Sequence, residues 1–195
     1  NDNCGLHVHA EVEDHSRQQI GKLVAHWLLI EPVVLQMVPP RRHQSHYCVP
    51  LRKHLQGRVD LGRGYTSQQM AKAVWVPETT DYYRRVSFNI CNICEALSDK
   101  EDCYYDAFYD PIYDGPKKER KTVELRLPEG SVDPRAVSMW AKMFVRFVDV
   151  TVRRAMPPDL SPAGLPEVLR LLGLARRPGE GFILSPGLWK LKVWV

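Results

Sequence analysis

The chain has 195 residues, is 44% hydrophobic and 26% charged, and carries a net charge of +4. That length allows one domain with a sizeable core and a small appendage. The charge is too mild and dispersed to argue nucleic-acid binding, despite local basic spots at Arg41-Arg42 and Lys117–Lys121.

No apolar run approaches the roughly 20 residues that cross a bilayer, and no signal peptide is visible, so no membrane contact is expected. The five cysteines, Cys4, Cys48, Cys91, Cys94 and Cys103, are odd in number and irregular in spacing. They do not form a disulfide framework, which points to a reducing, cytoplasmic setting. Cys91-Asn92-Ile93-Cys94 lacks the second pair that a zinc site would want. The first residue is Asn1, and a strand begins within a few residues, so the sequence reads as processed or as part of a longer protein.

In chain order, Leu6, Val8, Ala10 and Val12 alternate with His7, His9 and Glu11. Successive strand side chains point to opposite faces, so one face is apolar and the other carries two imidazoles and a carboxylate. Ser16 with Gln19 forms a capping box before a long amphipathic helix whose stripe runs from Ile20 to Val38. Pro32 is expected to kink or split it. Glu31 lies on the apolar stripe and needs a partner if buried, Arg41 or Arg42 being in reach; otherwise it emerges wet at the kink. Pro39-Pro40 stops the helix, and residues 41–65 read as a long ordered loop with His43, His46 and His54.

Thr66 and Gln69 cap a short helix to about Val74. Tyr82 to Ile90 alternates as a strand whose polar face ends on Ser87 and Asn89. After a Tyr-rich stretch without clear structure, Asp114-Gly115-Pro116 turns the chain into a strand over Lys121–Leu127. There Glu124 and Arg126 share one face, and Val123, Leu125 and Leu127 the other. Asp133-Pro134 starts a second long helix through Trp140, Phe144 and Phe147 to about Met156. A proline-rich linker, a short helix ending at Gly173 and an edge strand from Trp189 close the chain. With few β-α-β alternations, an α+β fold follows: an antiparallel sheet with long helices on one face.

Singly, H-x-H and E-x-R are modest signals. Together they are more specific: Cys4-Gly5-Leu6-His7-Val8-His9, a helix with Trp27 and Glu31, Arg41-Arg42, then Thr122-Val123-Glu124-Leu125-Arg126 leading through Glu129-Gly130 to Trp140. This order resembles the putative amidoligase family of the glutamine synthetase and glutamate–cysteine ligase superfamily. The resemblance covers residues 1–156; residues 157–195 are a C-terminal addition.

The resemblance implies a curved, glutamine-synthetase-like antiparallel sheet that holds ATP, Mg2+ or Mn2+, and a carboxylic acid. It implies an ATP-dependent carboxylate–amine ligase acting on small-molecule or peptide substrates through an acyl phosphate. His7 and Glu124 then correspond to metal ligands, His9 to a nucleotide-phosphate contact, and Arg126 to the cation that offsets charge during phosphoryl transfer. Arg41 or Arg42 corresponds to a phosphate-facing arginine. The family's sheet begins with an upstream E-x-E strand. Glu11 and Glu13 have that spacing but follow the histidines, so this stretch is expected to lack one metal site. Two alternatives are a non-catalytic relative that binds a nucleotide or partner, and a structural zinc protein using His7, His9 and Cys4.

Overall fold

The computed structural model describes residues 5–74, 85–90, 93, 121–173 and 193–194. Cys4, Cys91, Cys94 and Cys103, the Tyr-rich stretch, the Asp114-Gly115-Pro116 turn and the first part of the expected 82–90 strand lie outside them. Strand β1 (Val8–Glu11) is followed by helices α1 (Arg17–Leu35), α2 (Pro40–His43), α3 (Leu51–His54) and α4 (Ser67–Val74). Strands β2 (Phe88–Asn89) and β3 (Thr122–Leu125), helices α5 (Pro134–Thr151) and α6 (Leu165–Leu171), and strand β4 (Val193–Trp194) complete the order. The strands form one sheet in the order β2-β3-β1-β4. Every pairing in it is antiparallel. This is the α+β arrangement expected, with β4 on the edge beside β1.

The apolar faces of the strands and the stripes of α1 and α5 make the core. Val8 and Ala10 of β1 stand opposite Leu125 and Val123 of β3, all four fully buried. Trp27 of α1 stacks on Phe88 of β2 at 5.3 Å between ring centroids, and Phe147 of α5 meets Trp27 edge-on at 5.5 Å. Burying each such side chain contributes roughly 1.5–3 kcal/mol. Helix α4 crosses α1 so closely that a Cβ at Gly21 would lie 1.8 Å from the Ser67 carbonyl oxygen. Only glycine fits that crossing.

The helix starts follow the sequence. Gln19 N–H donates to Ser16 Oγ at 3.3 Å and Ser16 N–H to Gln19 Oε1 at 2.8 Å. Thr66 and Gln69 repeat the device on α4. Asp133 accepts from Arg135 N–H ahead of Pro134.

Three expectations are corrected. First, of the kink or split expected at Pro32, the split does not occur: α1 runs unbroken to Leu35. A proline removes the N–H that would bond the carbonyl four residues back. Here that carbonyl, of Leu28, accepts instead from Arg52 Nη1 at 2.7 Å. Second, residues 41–65 are not all loop. They hold α3 and all of α2 but its first residue, each helix four residues long and too short for any periodicity to register.

Third, Glu31 is neither wet nor paired with Arg41 or Arg42. It is fully buried and serves as the cap of α3. Its carboxylate accepts from Leu51 N–H at 2.7 Å, Arg52 N–H at 2.8 Å and Trp27 Nε1–H at 3.1 Å, and from the Ser87 hydroxyl. Helix N-termini present unpaired N–H groups, so a carboxylate there satisfies them without a cationic side chain. Burial pushes the Glu31 carboxyl above its ordinary range, and the four donors oppose that shift.

Helix α5 ends at Thr151, short of the expected Met156. The stretch after Pro157 also packs on the domain. Leu160, Ala163, Val168 and Leu172 join the core. Ala163 N–H donates to the Leu29 carbonyl at 2.9 Å, and Arg52 Nη1 reaches the Leu160 carbonyl at 2.6 Å.

Glu31→Ala strands buried donors from three segments and is expected to cost about 3–5 kcal/mol. Glu31→Gln, which keeps one acceptor oxygen and the volume, should cost less. Urea denaturation measures both; a loss under about 1 kcal/mol for the alanine protein would contradict the capping role.

Candidate functional site

The antiparallel register sets His9 directly opposite Glu124, and Asn89 on the other side of Glu124. Residues paired across antiparallel strands share a face. The polar faces of β1, β2 and β3 therefore converge on one carboxylate.

His7 Nδ1 lies 3.0 Å from Glu124 Oε1, and His9 Nε2 lies 3.7 Å from the same oxygen. Arg126 Nη1 donates to Oε1 at 3.1 Å and lies 3.4 Å from Oε2. Asn89 Nδ2 donates to Oε2 at 2.9 Å. Thr122 Oγ1 stands 3.3 Å from His9 Nδ1 and steadies the ring from behind. Four of the expected site residues, His7, His9, Glu124 and Arg126, are thus brought together.

Burial shapes the electrostatics. The Glu124 side chain is 5% exposed and that of His7 38%. Burial pushes the Glu124 carboxyl up, but the His7 hydrogen bond, the Arg126 charge and the two imidazoles outweigh it and hold the group below its ordinary value. Glu124 is an anion here, as a ligand or charge-pairing group must be. Arg126 Nε is buried and has no hydrogen-bond acceptor among the described residues. Buried donors are nearly always satisfied, which makes this one, beside a charged cluster, a point of interest in the site.

Arg41 and Arg42 lie past the Gly5 end of the β1–β3 pair, where Gly5 bridges to Glu129. They differ sharply. Arg42 is 3% exposed. Its Nε donates to the Leu127 carbonyl at 3.1 Å, and its Nη2 to those of Arg126 and Pro128 at 2.9 and 3.3 Å. It clamps the chain as it leaves β3. Arg41 pairs with Glu129, bonding through Nε at 3.1 Å, and its side chain is 56% exposed.

Two contributors escaped the sequence. Asn89 was visible only as the end of a polar strand face, and nothing in its type marked a bond to Glu124. Gly5 was visible as part of a motif but without a reason. A Cβ there would lie 3.0 Å from Arg42 Nη2 and 3.4 Å from His7 Nε2. Glycine keeps open the space that both groups border.

His7 Nδ1 and Glu124 Oε1 share a hydrogen bond at a separation that two ligands of one divalent ion would also have. Two ligands at right angles on an octahedral ion, with bonds of about 2.1 Å, stand about 3 Å apart. Among the described residues no set of three or more His, Cys, Asp or Glu groups is placed to hold a metal. The zinc alternative falls on Cys4, which lies outside the described residues.

Gly5 has no left-handed backbone, so Gly5→Ala tests the space alone. It should cost about 1–2 kcal/mol by pressing on a guanidinium already fixed by three carbonyls. An alanine protein as stable as the parent in urea would show that Arg42 yields freely.

None of the described helices is long and apolar enough to cross a membrane. No curated protein and no solved structure matches the chain. A family model described as "putative amidoligase enzyme" matches residues 1–148, about three-quarters of the sequence. That span takes in β1, the Glu31 cap, and both Glu124 and Arg126. With most of the chain matched, including every strand of the site, it belongs to the putative amidoligase family.

Proposed function

We propose that the chain is a glutamine-synthetase-like domain that joins a carboxylate to an amine at the expense of ATP. The observation that carries this is one buried carboxylate, Glu124, held between two imidazoles and a guanidinium whose Nε has no acceptor among the described residues. A cluster of this kind is built to receive anions and a cation together.

Transfer of a phosphoryl group to a carboxylate brings two repelling anions into contact, so positive charge must stand between and around them. His7 and Glu124 would hold Mg2+ or Mn2+, which supplies charge neutralisation to the polyphosphate. His9 contacts the nucleotide phosphates from the same strand face. Arg126, fixed by Glu124 through Nη1, offers its Nε–H to the phosphoryl oxygens as they move. Arg42 holds the backbone at 126–128, and the more exposed Arg41 meets the polyanion from the solvent side.

In the first step a carboxylate oxygen of the acid bonds to the γ-phosphorus, the bond to the β-phosphate oxygen breaks, and ADP departs. In the second, the amine nitrogen attacks the acyl carbon, the carbon–oxygen bond to phosphate breaks, and inorganic phosphate leaves as the nitrogen loses a proton. The products are an amide, ADP and phosphate. Small-molecule or peptide acids and amines are the substrate class.

ATP with Mg2+ or Mn2+ should raise the thermal midpoint. Ligand at about 100 times Kd stabilises by about 2.7 kcal/mol. For a chain of this size that is roughly 5–10 °C. Hydroxylamine in place of the amine should trap the acyl phosphate as a hydroxamate when a panel of acids is offered. Glu124→Ala should lose both signals. No shift with either metal nucleotide, or a full shift in Glu124→Ala, would remove the proposal; a shift without ADP or hydroxamate would favour the non-catalytic relative.

A further inference from the structure

Arg126 stands one residue past the end of β3, yet its backbone is held at both polar groups. Its N–H donates to the Ser87 carbonyl at 2.9 Å, and its carbonyl accepts from Arg42 Nη2 at 2.9 Å. Both holders are anchored. Ser87 is fully buried, and its hydroxyl bonds the Glu31 carboxylate. Arg42 is 3% exposed and commits Nε and Nη2 to the carbonyls of Arg126, Leu127 and Pro128. Gly5 closes over Nη2, where a Cβ would lie at 3.0 Å, so the fork has little room to turn on that side.

We infer that Arg42 is a positioning residue, which acts on the reaction through Arg126. It fixes the carbonyl side of that residue as Ser87 fixes the amide side, and so sets the guanidinium that bonds Glu124. This rests on the phosphoryl-transfer role proposed above for Arg126. A group that meets a moving phosphoryl must be held closely, since misplacement by about 1 Å can cost about 100-fold in rate. The residue type follows from the task. A guanidinium presents donors in a rigid planar fork that can span successive carbonyls, whereas an ammonium is a compact point charge.

The test is a double-mutant cycle on the full chain, read by ATP-dependent hydroxamate formation. Arg42→Lys keeps the charge and loses the fork. It should lower kcat by about 10–100-fold while the KM for ATP moves by less than about threefold. In an Arg126→Lys background the same change should cost less than about threefold, because the group that Arg42 positions is already gone. Amide hydrogen exchange gives a reading that needs no nucleotide. The Arg126 N–H should exchange faster in Arg42→Lys, while those of Val123 and Leu125 keep the parent's rates. If the lysine chain fails to fold, Arg42→Gln, which keeps a planar pair of N–H donors, replaces it.

Equal losses in both backgrounds, or a uniform rise in exchange across β3, would make Arg42 a structural residue and overturn the inference. A raised KM with kcat unchanged would make it a direct phosphate contact and overturn it too. So would an Arg42→Lys chain with the parent's kcat and exchange. A parent that binds no ATP and forms no hydroxamate would overturn the role of Arg126 itself, and the inference with it. An active parent with additive losses overturns the inference alone.

Discussion

The molecule depends on the register of β1 against β3. With His9 opposite Glu124, Val8 stands opposite Leu125 and Ala10 opposite Val123. The same alignment that buries the apolar residues against α1 and α5 gathers the polar ones around a single carboxylate. A slip of one residue would exchange the faces, sending His9 into the core and Ala10 to the site. Core and site therefore enforce each other, and neither can be moved without the other.

A second layer holds this register in place. Glu31 caps α3, bonds Ser87 beside β2 and accepts from Trp27, which in turn stacks on Phe88. The path from helix to site passes through three residues of β2 and its lead-in, with Ser87 and Phe88 turned to the support and Asn89 to Glu124. Buried polar groups are costly when half satisfied, and this network is satisfied by atoms from three separate segments. It converts helix packing into the placement of one carboxylate.

Much of this was legible from the sequence. The alternation of Leu6 to Val12 and of Thr122 to Leu127 gave the two faces, and their shared design suggested that they meet. The capping residues Ser16, Thr66 and Asp133 marked helix starts because those signals are local. What was not legible was everything that needs a partner distant in the chain. Glu31 looked for a cation because burial usually demands one, yet helix N–H groups served. Arg41 and Arg42 could not be told apart as the phosphate-facing arginine, because the backbone carbonyls that the Arg42 guanidinium bonds carry no residue-type signal. Asn89 had no mark beyond its parity on a short strand. Helices α2 and α3 are single turns, below the length at which a period exists.

The unbroken passage of α1 through Pro32 has one more consequence. The carbonyl that the proline leaves open is filled by Arg52, whose guanidinium also reaches the Leu160 carbonyl. Two residues twenty positions apart thus act as plug and socket. An N–H at position 32 would compete for the carbonyl; a shorter side chain at position 52 would leave it bare. Among relatives of this chain, the proline and the arginine should be gained and lost together, and the path of the segment around Leu160 should change with them.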